Sequence, residues 1–288
     1  MELPYEIWDV FTDTPLSGNP LALVPDASGL GSGQMQAVAR EFNLSETSFV
    51  LPSEVADVRA RYFTPARELP VAGHPSVGTV YALHAAGRLA KESATLELGV
   101  GVREMGLELA NGRLERVWMN QGKPELVSDL SGRAEVAAAL GLTEADLANF
   151  PLQIVSAGVP FLLVPLNTLG ALGKVALELD ALPPDLPSDH HAVFAFTTDA
   201  PESDIRSRMF GAAMGITEDP ATGAAHGPLG WYVKTHGLLR PQDGIVSFVS
   251  HQGVEMGRKS VIHVRVDSAD EVQVGGQAVK VASGTLHL

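Results

Sequence analysis

The 288-residue chain carries 34 Asp and Glu against 20 Lys and Arg, a net charge of −14, and contains no cysteine. The acidic balance, with no Lys/Arg cluster, argues against nucleic acid or an anionic membrane as partner. The missing thiols exclude disulfides, thiolate nucleophiles and cysteine metal sites. A 45% hydrophobic, 19% charged composition of this length suits a soluble protein with two domain-sized cores.

The first residues, MELPYEIWDVF, are acidic and lack the basic, then apolar, pattern of a signal peptide, and no run reaches the roughly 18 apolar residues of a membrane helix. A cytoplasmic setting is therefore expected. GSGQMQAVAREF (31–42) reads as a helix capped by Ser32, with Met35, Val38, Ala39 and Phe42 at helical spacing. In FNLSETSFVL the lone acid Glu46 stands before a strand, either as a solvated carboxylate or as a partly buried acid/base group. RARYF (59–63) alternates as a half-buried strand. The segment that follows, ELPVAGHPS, opens a helix at Gly73 with no Asp, Glu, Lys or Arg from Pro75 to Gly87. His74 at its start is either a capping side chain or a functional one.

The second half repeats these signals. LSGRAEVAAALG reads as a helix from Ser131 to Gly141. AGVPFLLVP (157–165) matches SGNPLALVP, RSRMF (206–210) matches RARYF, and GAAHGPLGWYVKTHG (223–237) matches GHPSVGTVYALHAAG (73–87), with Trp231 opposite Tyr81. Three matches in one order argue for a duplicated fold, halves 1–118 and 119–288, with the last strand free to pack on the first half. A helix apolar all round is buried all round. Each half is therefore expected to be an α+β unit, a barrel-like sheet wrapped around a central helix, with helices near 75–86 and 224–235.

Both central helices begin at glycine. First-turn N–H groups lack internal partners and carry partial positive charge, and a glycine there lets an oxygen approach the backbone. Gly73 and Gly223, with Ala224 following, are thus candidates to bind one anion from two sides. In TEDPATG the competing reading is ordinary capping by Asp219, with Pro220 fixing the turn. GxSxG, GxGxxG, Walker and HExxH patterns are missing, and the pair His190-His191 lies in a Pro-rich stretch that suits solvated loop.

Taken together, SGNPLALV, NLSETSFV, YFTPARELPVAGHPSVG and EDPATGAAHGPLG resemble the phenazine-biosynthesis isomerase (PhzF-like) family, whose fold is similar to that of diaminopimelate epimerase. The resemblance implies two similar domains with the active site between them, and a homodimer as the family expectation. It also implies a cofactor-independent proton shift between carbons of a small carboxylate, as in isomerisation of a dihydro-hydroxyanthranilate. By motif position, Glu46 carries over as the proton-transfer carboxylate, and His74 and Asp219 as supporting site residues. Gly73 and Gly223 carry over as backbone donors to substrate. One position departs: Ala224 stands where the family motif EDPATGS has serine. That loss of a hydroxyl leaves a rival reading, a carboxylate-binding or scaffold protein on the same fold. Epimerisation by paired thiols is excluded, since no cysteine exists.

Overall fold

The computed structural model describes residues 1–89, 92–183, 192–211 and 216–288, so His190 and His191 lie outside the described residues. The chain divides into two compact units, Met1–Asn120 with Gly275–Leu288, and Gln121–Val274.

The first unit opens with an antiparallel pair, β1 (Glu2–Val10) and β2 (Asn19–Val24). Helix α1 (Ser32–Phe42) carries the chain back, so β3 (Glu46–Leu51) runs parallel to β2. Strand β4 (Val58–Phe63) returns antiparallel to β3, and the short β5 (Glu68–Leu69) folds against β4. After helix α2 (Gly73–Ala85), β6 (Ser93–Leu98) lies parallel to β4 and continues through β7 (Gly101–Ala110) into β8 (Arg113–Gly122) as a meander. The C-terminal strand, Ala278–His287, pairs antiparallel with the whole of β1.

The two helices of this unit follow from their patterns. The apolar stripe of α1, Met35, Val38 and Ala39, packs with Val24, Phe49 and Phe63, and its other face stays in water. In contrast, α2 buries nine of its thirteen residues and touches β1, β2, β3, β4 and the C-terminal strand. The sheet therefore curls about it. Gly78 allows this, since a Cβ there would meet side-chain atoms of Leu21 and Val10 at 2.6 and 2.7 Å.

The second unit begins with β9 (Glu125–Leu130), helix α3 (Arg133–Ala139) and β10 (Leu152–Ser156), which pairs antiparallel with β9. Next come β11 (Pro160–Pro165), helix α4 (Leu169–Lys174) and β12 (Val193–Thr197), parallel to β11. Strand β13 (Ile205–Gly211) is antiparallel to β12 and carries the short β14 (Ile216–Asp219). After helix α5 (Gly223–Thr235), β15 (Val246–Gln252) runs parallel to β13, β16 (Ser260–Val266) pairs antiparallel with β15, and β17 (Val272–Gly276) leads to the C-terminal strand, β18. The order of pairings from β10 to β16 repeats that from β1 to β7, with parallel pairs in the same two places. Helix α5 packs on β10, β11 and β16, and a Cβ at Gly230 would meet Val264 at 2.9 Å and Val266 at 3.0 Å. Helices α3 and α4 help close a separate apolar core. The fold is α+β.

The same brace precedes each central helix. In the first unit, Arg61 on β4 grips Glu68 on β5 through Nε (2.7 Å) and Nη2 (2.6 Å), and stacks over Phe63 at 5.2 Å. In the second, Arg208 on β13 grips Glu218 on β14 through Nε and Nη2, both at 2.8 Å, and stacks over Phe210 at 4.9 Å. Five residues after each glutamate, the central helix starts. The pair beside Gly73 is half open to water, while Arg208 also donates to the carbonyls of Leu172 and Val175 at the end of α4.

Three capping expectations are corrected. Helix α1 is capped by Gly31, whose N–H donates to Gln34 Oε1 at 3.0 Å; Ser32 is already helical and its hydroxyl accepts from Arg61. The N-cap of α3 is Gly132, left-handed at φ +82°, which only glycine adopts cheaply, so Ser131 lies outside. Asp219 ends β14, and Thr222 takes the N-cap place of α5.

Candidate functional site

The start of α2 is built for close approach. Ala72 is extended (φ −151°, ψ 144°), Gly73 is the first helical residue, and Pro75 falls in the first turn, where its missing N–H breaks no helical bond. Gly73 is partly exposed, whereas His74 beside it is buried. Behind it, Ser76 bonds back to the Ala72 carbonyl at 2.7 Å and meets the Tyr62 hydroxyl at 3.0 Å, anchoring the first turn.

Glu46, the first residue of β3, places Oε2 3.2 Å from His74 Nδ1. The carboxyl group is largely shielded from water, with 12% of the side chain exposed. Burial pushes the His74 ring down to about 3, so it is neutral near pH 7. A third group completes the cluster: Asn19, fully buried at the head of β2, sets Nδ2 3.3 Å from the same His74 Nδ1. As these atoms are assigned, the amide donates to Nδ1, which puts the ring proton on Nε2. Nε2 is buried and has no hydrogen-bond partner among the described residues. The arrangement can move a proton: a carboxyl group faces a ring nitrogen whose tautomer is set by a buried amide.

The start of α5 carries a different set. Asp219 Oδ2 accepts from the Thr222 hydroxyl at 2.5 Å, and Gln252 Nε2 donates to Thr222 Oγ1 at 2.9 Å and to the Asp219 carbonyl at 2.7 Å. Gly223 is buried and Ala224 half-buried. Gln121 Nε2 donates to the Gly223 carbonyl at 2.8 Å, and His226 Nδ1 lies 2.9 Å from the Thr222 carbonyl. Burial pushes His226 down to about 4, against the opposite pull of that carbonyl bond.

The structure thus brings Glu46 and His74 together in the first unit, and sets Asp219, Gly223 and Ala224 around one helix start in the second. Asn19, Thr222 and Gln252 were not singled out by sequence. A signal existed for Asn19: in the internal match of SGNP with AGVP it is polar where its counterpart is Val159.

Against known proteins, a family model described as phenazine biosynthesis-like protein matches residues 8–284. A trans-2,3-dihydro-3-hydroxyanthranilate isomerase of Pseudomonas chlororaphis is 37% identical over 289 residues, 99% of each chain. An uncharacterized isomerase of Clostridium acetobutylicum is 35% identical over 296 residues, 99% of this chain and 97% of that one. Among solved structures, a PhzF-family phenazine biosynthesis protein of Bacillus anthracis matches with a TM-score of 0.91 at 29% identity, both chains covered completely. A hydroxyproline epimerase of Agrobacterium vitis shares the fold, with a TM-score of 0.65 at 12% identity over 99% of this chain and 91% of that one.

Proposed function

The chain belongs to the phenazine biosynthesis-like family and is an enzyme of the isomerase class, and on that premise we propose that it shifts a proton between carbons of a small, cyclic carboxylate without a cofactor. Glu46 exchanges the proton with carbon, and His74, neutral, stands beside its carboxyl group. The observation that carries this reading is the 3.2 Å approach of Glu46 Oε2 to His74 Nδ1. In the second half, the first-turn N–H groups at Gly223 and Ala224, beside Asp219, are suited to offset negative charge on a carboxylate.

The test is solvent deuterium incorporation into trans-2,3-dihydro-3-hydroxyanthranilate, the substrate in its relatives' name, and into a panel of cyclic and amino carboxylates. Label should enter one carbon with wild type and not with Glu46→Gln. No label in any substrate with wild type overturns the proposal. Ala224 favours a second reading, carboxylate binding without turnover. In that case calorimetry shows binding by wild type, tighter binding by Ala224→Ser, and no exchange by either.

A further inference from the structure

The Asp219–Thr222–Gln252 cluster is directional, and its direction is fixed by the backbone. Gln252 Oε1 accepts from the Thr222 N–H at 3.1 Å, while Nε2 donates to the Asp219 carbonyl at 2.7 Å. These two contacts exclude the flipped amide, because a flip would set donor against donor and acceptor against acceptor. Nε2 therefore also donates to Thr222 Oγ1. A threonine hydroxyl has one proton. With its oxygen accepting from Gln252, that proton points at Asp219 Oδ2, 2.5 Å away.

Two further observations separate this from ordinary fold support. Thr222 occupies the N-cap of α5, where a hydroxyl normally accepts from a first-turn N–H, yet its side chain makes no capping bond. It is committed to Asp219 instead. The first unit supplies an internal control. Register across β4–β5 and β13–β14 sets Leu69 opposite Tyr62 and Asp219 opposite Met209. The braces and helix starts then equate Ala72 with Thr222, and the β4–β6 and β13–β15 registers equate Leu98 with Gln252. The same turn thus folds in the first unit with Leu, Ala and Leu at all three places. Around the cluster the backbone is crowded. Gly253 is left-handed at φ +74°, a Cβ on it would meet the Pro220 carbonyl at 2.6 Å, and Ser260 Oγ donates to that carbonyl at 2.7 Å.

We infer that Thr222 and Gln252 are positioning residues for Asp219, holding Oδ2 as an acceptor and fixing the orientation of its carboxyl group for proton exchange. The inference rests on the acid/base function proposed above. Thr222→Val is isosteric and removes the one donor. It should lower kcat about 10–100-fold with KM within about twofold, and Thr222→Ser should restore the rate. The double variant Asp219→Leu/Thr222→Ala installs the first unit's residues and keeps Gln252 on the backbone. Its Tm should match or exceed wild type, since replacing a buried polar cluster by apolar groups is commonly neutral or stabilising. A Thr222→Val enzyme with wild-type kcat, or a double variant whose Tm falls by more than about 8 °C, overturns the inference. A wild-type rate of zero overturns the proposed function and this inference with it, whereas an active wild type with an unaffected Thr222→Val overturns the inference alone.

Discussion

The two units share an order of strands and differ in where they are polar. In the first, Asn19, Glu46 and His74 gather at the start of α2. The matching places in the second are Val159, Ala192 and Ala224, read from the repeat and from the parallel registers β2–β3 and β11–β12. The second unit instead carries Asp219, Thr222 and Gln252 where the first has Leu69, Ala72 and Leu98. Each therefore shows what the other folds without. Polar residues at these six places are not required by the strand order the two units share. The Arg–Glu–Phe brace, present in both, belongs to the architecture.

The sharpest way to break this comparison is Glu46→Gln. Removing a proton-transfer group typically lowers the rate about 10²–10⁴-fold, with circular dichroism and Tm unchanged; a variant above a tenth of the wild-type rate would place the chemistry elsewhere. The braces come next. Arg208 and Glu218 side chains are 9% and 15% exposed, Arg61 and Glu68 18% and 42%. Arg208→Met strands a largely shielded carboxylate and frees the carbonyls of Leu172 and Val175, and should cost about 3–5 kcal/mol in urea unfolding. Equal losses from Arg208→Met and Arg61→Met would show that burial does not set their worth.

A smaller effect follows from the buried histidines. Their folded values, about 3 for His74 and about 4 for His226, lie below the 6.5 of an open chain, so the unfolded state takes up protons first. Stability should be level above about pH 6.5 and fall below it, by about 1.4 kcal/mol per pH unit for each ring. Carboxylates add their own losses nearer pH 4, so the window to read is pH 6.5 to 5. His226→Leu should flatten the slope there by one proton's worth in Tm-against-pH scans. The smallest change is expected from Arg61→Met. Holding Glu68 below the usual carboxylate range through a pair open to water contributes only about 0–1 kcal/mol.

Much of the fold was legible because its signals are local. A run from Pro75 to Gly87 without charge fits only a buried helix, and alternation in RARYF and RSRMF marks strands. The caps were misread for a local reason too: Ser32, Ser131 and Asp219 have capping chemistry, but extended Gly31, left-handed Gly132 and the neighbouring Thr222 took those places. Glu46 and His74 stood out as isolated polar groups in apolar surroundings. Asn19, Thr222 and Gln252 did not, because such residues are common in turns and strand ends. Their meaning depends on partners 55 and 30 residues away, set by strand register.

The pairing of β18 with β1 has a consequence for the order in which the protein is made. Residues 121–274 form one unbroken stretch and have every strand of their unit once that stretch has left the ribosome. The earlier-made unit has to wait, because Glu2 meets His287 and Val10 meets Ala278. During synthesis its sheet stands open along β1, an unpaired edge of the kind that other chains can join. The earlier-made unit therefore cannot complete its sheet before Ala278–His287 has been made, whereas the later unit is continuous in sequence.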